Sequence, residues 1–161
     1  MELDQRDCDI VALLQRDARI SFAELGRQVG MSTPATIERV RRLEIGGVIL
    51  GYHAQINPSA VGLPVTAIVR ITIDGHRLQQ FAEHVKKIPE VLECHRVTGA
   101  ESYLAQIAVR DTQHLEEVID LMMPYVQTNT SLVLASPVAW RQVIPGQALP
   151  RRTAKRRPAH R

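Results

Sequence analysis

Cysteine is scarce in this chain, with only Cys8 and Cys94 among 161 residues. The two lie far apart in sequence and form neither a CxxC pair nor a Cys/His spacing of the kind that binds zinc. A disulfide framework and a structural zinc site are therefore poorly supported. We expect both side chains to be free thiols in the core.

Long apolar runs and phosphate-binding motifs are also missing. No stretch of eighteen apolar residues occurs, and the first thirty residues carry Asp4, Asp7, Asp9 and Asp17. This pattern excludes a secretory signal and a membrane-spanning helix, and we expect a cytoplasmic protein. There is no P-loop and no GxGxxG motif, so we expect no nucleotide, metal or covalent cofactor.

The net charge of +3 is carried by the end of the sequence. Residues 146–161 contain six Arg and Lys and no acid, whereas residues 1–145 contain 14 basic against 17 acidic residues. Residues 146–161 also contain two prolines and little apolar surface to bury, so we expect residues 145–161 to form a disordered basic tail. Two interpretations stay open: a solvated end, or a segment that runs along nucleic acid or another polyanion.

The first fifty residues predict three short helices. Asp4 is the expected N-cap of the first helix, and the sequence from Ser21 to Glu24 is a capping box that begins the second. Gly30 is expected to end the second helix in the left-handed conformation, and Ser32 to cap the third.

The second and third predicted helices are joined by a tight turn at Gly30-Met31. This is a helix-turn-helix pattern, and small Gly26 fits where two helices must approach closely. The β-prone run at 48–56 suits a wing, and the run NPSAVGLP at 57–64, with two prolines and a glycine, indicates a linker, which we place at 53–63. We therefore predict a winged helix-turn-helix domain at residues 1–52.

From residue 64 onward the pattern predicts a second domain of strands and helices. Its elements are a strand at 65–73, a helix at 78–88, strands at 91–97 and 103–109, a helix at 115–122 that Pro124 ends, and a strand at 131–140. The order βαββαβ is that of a ferredoxin-like α+β fold with both helices on one sheet face. The second sheet face, which carries Ile68 and Leu104, needs a cover, and a second copy of the chain is the simplest one.

The third helix supplies the candidate DNA contacts. If this helix lies in a major groove, Thr36, Val40 and Leu43 should form its buried face. The side chains left near the DNA are then Ser32, Thr33, Pro34, Ala35, Glu38, Arg39 and Arg42.

Roles within this set follow from donor and acceptor chemistry. Ser32 and the free amides at the helix start suit a phosphate, Glu38 suits the donor of cytosine, and Arg39 suits a guanine edge. The alternative for Arg39 is an intradomain salt bridge, for instance to Glu24 or Glu44.

Both halves together resemble the leucine-responsive/asparagine-regulator (Lrp/AsnC) family of transcription regulators, over about residues 1–144. The matching segments are LDQRDCDIVALLQRDARISFAELGRQVGMS at 3–32, RVRRLEIGGVILGY at 39–52, INPSAVGLPVTAIV at 56–69 and IPEVLECHRVTG at 88–99.

The resemblance implies a winged helix-turn-helix that binds double-stranded DNA and a ferredoxin-like effector (RAM) domain at 64–144. It also implies a homodimer that often assembles into tetramers or octamers, with a small effector, commonly an amino acid, bound between dimers. The effector is expected near the connection of the second and third strands of that domain. The residues there are Thr98, Gly99, Ala100, Glu101, Ser102 and Tyr103.

Two positions depart from the family pattern. The family usually has an apolar residue where Thr36 stands, and Thr36 fits if its hydroxyl bonds back to the Ser32 carbonyl. An aromatic or small residue followed by Asp is typical where this chain has Glu101-Ser102. Glu101 is then the carboxylate available for the ammonium of an amino acid.

Two other functions stay open. Sirohaem decarboxylases share this two-domain architecture, but the six histidines are scattered in sequence and only His95 is expected to face a pocket. A regulator of DNA architecture needs no effector, and Gly99 suits a simple hairpin turn because it tolerates positive φ.

Overall fold

The structure, a computed structural model, describes residues 2–123 and 126–143. Two compact units are present: one contains the described residues up to 54 together with 140–143, and the other contains residues 55–139. The expected linker includes a short 3-10 helix at Pro58–Val61. The expected tail at 145–161 and the expected helix end at Pro124 lie outside the described residues.

The N-terminal unit consists of three helices, α1 (Gln5–Arg16), α2 (Phe22–Val29) and α3 (Thr33–Ile45). A capping box begins α1, because Asp4 and Asp7 each accept a hydrogen bond from the other's backbone amide. Gly30 ends α2 with φ +66°, which confirms the predicted left-handed cap.

The caps of α2 and α3 are simpler than predicted. The Ser21 hydroxyl accepts from the amide of Glu24, but the Glu24 carboxylate binds Arg27 and Gln28 one turn later instead of reaching back. Ser32 is the N-cap of α3, yet its hydroxyl makes no cap hydrogen bond to the α3 amides. The Glu24 carboxylate therefore binds the side chains of Arg27 and Gln28 in place of the Ser21 backbone amide.

A close approach of α2 and α3 confirms the helix-turn-helix geometry. A Cβ atom on Gly26 would lie 2.8 Å from both the Met31 carbonyl oxygen and the Thr36 hydroxyl oxygen, so only glycine fits. The Thr36 hydroxyl donates to the Ser32 carbonyl at 2.9 Å, as predicted. Around this contact the buried apolar residues of the unit are Ile10, Leu14, Leu25, Val40 and Leu43.

The predicted wing does not form a strand. Residues 49–57 have no regular secondary structure, because the unit offers only helices and a strand needs a partner for its backbone hydrogen bonds. Tyr52 nevertheless ties this segment to α3 by donating to Glu44 at 2.9 Å. Burial, and then this hydrogen bond, raise the pKa of Tyr52 to about 12.

The end of the described chain returns to the first helix. The Gln15 amide donates to the Val143 carbonyl at 2.8 Å and accepts from the Val143 amide at 2.9 Å. One side chain therefore satisfies both backbone groups of a residue that is 128 positions away.

The C-terminal unit has the predicted βαββαβ order. Its elements are β1 (Val65–Thr72), α4 (Leu78–Val85), β2 (Val91–Arg96), β3 (Tyr103–Val109), α5 (Thr112–Met122) and β4 (Gln127–Leu132). The four strands form an antiparallel sheet in the order β2-β3-β1-β4. The predicted strand at 131–140 is wrong: β4 pairs with β1 over residues 127–132, and residues 133–140 contain no strand.

Both helices pack on one face of this sheet. Ala67, Val69 and Ile71 of β1 are buried against Phe81 of α4 and Val118 of α5, whereas the opposite face carries half-buried residues, including Ile68 and Leu104. Both cysteines are free but only partly buried, and burial raises the pKa of the Cys94 thiol.

Candidate nucleic-acid interface and effector site

The first half of α3 presents an open surface. Thr33, Pro34, Ala35 and Glu38 are exposed, and Thr36, Val40 and Leu43 are buried as predicted. No acidic side chain occupies the first turn of α3. The positive end of the helix dipole is therefore available to an anion.

The two arginines on the second half of α3 are held by the start of α1. Arg39 Nη1 donates to Asp4 Oδ2 at 2.6 Å and to Asp7 Oδ1 at 2.8 Å. Arg42 Nη2 lies 3.0 Å from both oxygens of Asp7. The intradomain salt bridge considered for Arg39 thus exists, but Glu24 and Glu44 are not its partners.

Asp7 is the centre of this ion cluster. Only 1% of its side chain is exposed, compared with 23% for Arg39 and 51% for Arg42. Its two oxygens accept from both arginines and from the Asp4 amide, which uses the acceptor capacity of a carboxylate. The buried charge is therefore fully compensated and joins α1 to α3.

Asp4 contributes to the same cluster from the solvent side. Its side chain is 53% exposed. The hydrogen bond from Arg39 is the main cause that lowers the pKa of Asp4, followed by the bond from the Asp7 amide. The same contacts raise the pKa of Arg39, first through Asp4 and then through Asp7. Sequence reasoning identified Asp4 only as a helix cap, and did not link it to α3.

A shallow concavity of about 380 Å³ lies beside these arginines. Its lining residues are Arg6, Met31, Ala35, Glu38, Arg39 and Arg42. Arg6 was missed by the sequence reasoning, since nothing in helical periodicity places the start of α1 beside α3.

The connection between β2 and β3 begins as an exposed turn. Thr98, Gly99 and Ala100 are exposed, and Gly99 has φ +126° with no heavy atom within 4 Å of a Cβ built on it. The Val97 amide closes the turn by donating to the Ser102 carbonyl at 3.1 Å. The conformation at Gly99 favours glycine even though space for a side chain exists.

Ser102 and Tyr103 are engaged inside the unit. The Ser102 hydroxyl accepts from the Ile73 amide at 3.2 Å and donates to the Ile73 carbonyl at 3.3 Å. Tyr103 is buried, donates to the Leu78 carbonyl at 3.1 Å and packs against Phe81 with ring centroids 5.2 Å apart. Both side chains therefore fix the start of β3 onto its neighbours.

Glu101, one of the six predicted effector residues, lines a small cavity. This polar cavity of about 180 Å³ is lined by Arg70, Thr72, Glu101, Gln127, Thr128 and Asn129. The Arg70 guanidinium donates to Asn129 and Ser131 across the β1-β4 pair. One acidic and one basic side chain thus lie around one small cavity, which sequence reasoning missed because Arg70 and β4 are far from Glu101 in sequence.

Two family models match the chain along most of its length. The AsnC-type helix-turn-helix domain matches residues 3–44, and the Lrp/AsnC ligand binding domain matches residues 66–143. The chain belongs to the Lrp/AsnC family of transcriptional regulators. Within the described residues, no group of three His, Cys, Asp or Glu side chains could hold a metal, and no helix is long and apolar enough to cross a membrane.

Three Lrp/AsnC proteins illustrate the similarity. LrpC of Bacillus subtilis is 35% identical, over 84% of this chain and 94% of LrpC. The leucine-responsive regulatory protein of Escherichia coli K12 is 36% identical, over 85% and 87%. The structure of the feast or famine regulatory protein of Mycobacterium tuberculosis complexed with L-methionine superimposes with a TM-score of 0.84, at 36% identity, over 89% of this chain and all of that one.

Proposed function

We propose that this transcriptional regulator binds specific DNA sequences through α3 and responds to a free amino acid bound in its C-terminal unit. The exposed first half of α3 is the observation that carries the DNA part. Ser32 and Thr33 with the α3 amides contact a phosphate, and Ala35 and Glu38 face base edges. Arg39 and Arg42 complete the contact set toward the second half of the helix.

The cavity beside Glu101 supports an amino acid as effector. An amino acid carries an ammonium and a carboxylate, and the cavity offers Glu101 for the first and Arg70 for the second. A structural relative was obtained with L-methionine, and another relative is named for its response to leucine. The half-buried sheet face at Ile68 and Leu104 supports assembly as a homodimer, with tetramers or octamers built from it.

DNA recognition is tested by binding to the DNA upstream of the chain's own gene. We expect Glu38→Gln to reduce the preference for the specific duplex over a scrambled duplex, by the 1–3 kcal/mol typical of a base contact. Glu44→Gln, on the same helix outside the proposed contact set, is the control. Equal affinity of the wild type for both duplexes would contradict sequence-specific binding.

Effector binding is tested by a thermal-shift screen against the twenty amino acids. A ligand that binds only the folded state stabilises by about 2.7 kcal/mol at a hundred times its Kd. We expect Glu101→Gln to abolish the shift and Glu116→Gln, an exposed change of the same kind on α5, to preserve it. If no amino acid shifts a protein that binds its DNA, the effector-independent architectural function replaces this one.

A further inference from the structure

The ion cluster at the start of α1 contains two carboxylates in opposite environments. Asp7 is buried beneath the arginines, and its oxygens accept four hydrogen bonds from three nitrogen atoms. Asp4 is 53% exposed and binds Arg39 Nη1 from the outside. An exposed ion pair of this kind exchanges readily with solvent and contributes little to stability. The Asp7 contact is therefore scaffold, and the Asp4 contact is replaceable.

The hydrogen bonds to buried Asp7 hold the guanidinium groups of Arg39 and Arg42 in fixed orientations. Asp7 compensates one of these two guanidinium groups, and the Glu38 carboxylate, which also lines the concavity, compensates the second. Arg6 adds a third guanidinium at the same concavity and makes no salt bridge with any other described residue, so one positive charge is in excess once Asp4 is released. Fixed guanidinium groups around a shallow concavity bind phosphate oxygens well, since their forked donors match that geometry.

We propose that the concavity lined by Arg6, Arg39 and Arg42 seats one backbone phosphate of duplex DNA, and that Asp4 occupies the phosphate's place on Arg39 in the free protein. A carboxylate oxygen and a phosphate oxygen accept the same N–H groups, so a bound phosphate releases Asp4 to solvent. Arg39 then positions the DNA backbone and does not read a guanine edge. The inference rests on the proposed DNA binding and adds a contact from α1.

The first test removes the competing charge and keeps the helix cap. Asn caps a helix as well as Asp does, so Asp4→Asn should fold with an unchanged melting temperature. We expect it to bind a duplex roughly two- to fivefold more tightly, the range of an exposed ion pair. The slope of log affinity against log salt should steepen by up to about 0.9, because no internal anion compensates Arg39 any longer.

Asp9→Asn is the matched control, since it removes the same charge from an exposed position on the same helix. Affinity should be measured by fluorescence anisotropy on a specific and a scrambled duplex between about 50 and about 200 mM salt. If Asp9→Asn tightens binding as much as Asp4→Asn does, the effect is one of net charge and the proposed exchange at Arg39 is wrong.

The second test removes the donor that α1 supplies. Arg6→Ala should weaken binding to both duplexes by the same factor and flatten the salt slope by about 0.9, as loss of one phosphate contact does. Arg16→Ala, at the other end of α1, should leave both unchanged. If Arg6→Ala keeps the wild-type slope of log affinity against log salt, the proposed phosphate site is wrong. If the wild type binds no duplex at all, the proposed DNA binding is wrong, and the phosphate site with it.

Discussion

The two candidate binding regions differ in what holds their polar side chains. On the N-terminal unit, the arginines of α3 are held by the carboxylates of Asp4 and Asp7. In the C-terminal unit, the hydroxyls of Ser102 and Tyr103 are held by backbone groups of Ile73 and Leu78. An anionic ligand can replace a carboxylate that is paired with an arginine. A hydroxyl that is hydrogen-bonded to backbone groups is instead part of the scaffold. Position near a site therefore does not make a polar residue a ligand contact.

The units also differ in how their elements are joined. The sheet unit buries a large apolar cluster between one sheet face and two helices, whereas the helical unit buries a smaller one and adds the Asp7 cluster at its edge. We expect apolar truncation to be most damaging in the first and charge removal in the second.

The largest expected effect is that of Phe81→Ala. Phe81 is fully buried and supports the Tyr103 ring, so its loss should lower the free energy of unfolding by about 3–5 kcal/mol. Urea unfolding followed by circular dichroism measures it. Phe22→Ala, at a position 43% exposed, should cost far less. Similar costs for both would remove the contrast between core and surface on which the comparison depends.

The next largest effect is expected for Asp7→Asn, which tests the ion pairs that join α1 to α3. Breaking a buried ion pair from one side costs about 3–5 kcal/mol when the remaining charge stays buried. Here the arginines keep partial exposure, so we expect about 2–3 kcal/mol in the same urea experiment. A loss no greater than that of Asp9→Asn would show that packing alone joins α1 to α3.

Gly26→Ala should cost about 1–3 kcal/mol through overpacking. The added Cβ meets the backbone oxygen of Met31, which cannot move without opening the turn between α2 and α3. We expect a lower melting temperature together with weaker DNA binding. Gly75→Ala, in the other unit and with no heavy atom near its Cβ, serves as the tolerated substitution.

Ser102→Ala tests whether this hydroxyl is scaffold or ligand contact. Removing it leaves the Ile73 amide without its acceptor, and we expect a loss of about 1 kcal/mol without ligand. Thr98→Ala, at an exposed position of the same connection, should cost nothing measurable. If Ser102→Ala loses the effector-induced shift but keeps wild-type stability, the hydroxyl is a ligand contact instead.

The smallest expected effect is on the pH dependence of the melting temperature. Hydrogen bonds from Arg27, and then Gln28, lower the pKa of Glu24 to about 2 from an ordinary 4.5. A depressed folded pKa means that this stabilisation is complete above pH 4.5 and is lost as pH falls toward 2. Glu24→Gln should therefore lower the melting temperature slightly at neutral pH and not at all near pH 2. A constant difference across that range would exclude the ionised carboxylate as its cause.

Local chemistry in the sequence predicted much of this fold. The Asp4 cap, the left-handed Gly30 and the Thr36 bond to Ser32 each involve residues within four positions of one another, so sequence spacing is sufficient. Alternating apolar residues similarly predicted β1. These features determine the fold class before any long-range contact is known.

Contacts between distant segments escaped prediction. Arg39 and Asp7 are 32 positions apart. Helical periodicity predicts which face of a helix is polar, but it does not predict which charged residue of another helix lies against that face. The predicted final strand failed for a similar reason, because the mostly polar run 127–132 becomes a strand by pairing with β1, which is distant in sequence. Glu101 was predicted as an effector residue. Its neighbour in the cavity, Arg70, was not predicted, because its position there depends on the strand order.

The two hydrogen bonds between Gln15 and Val143 also place Arg141, two positions earlier, with the helical unit. The described residues of that unit, 2–54 and 140–143, then carry eight basic and eight acidic side chains, a formal charge of zero. Attraction of this unit to a polyanion therefore depends on where its arginines lie on the surface and not on its net charge.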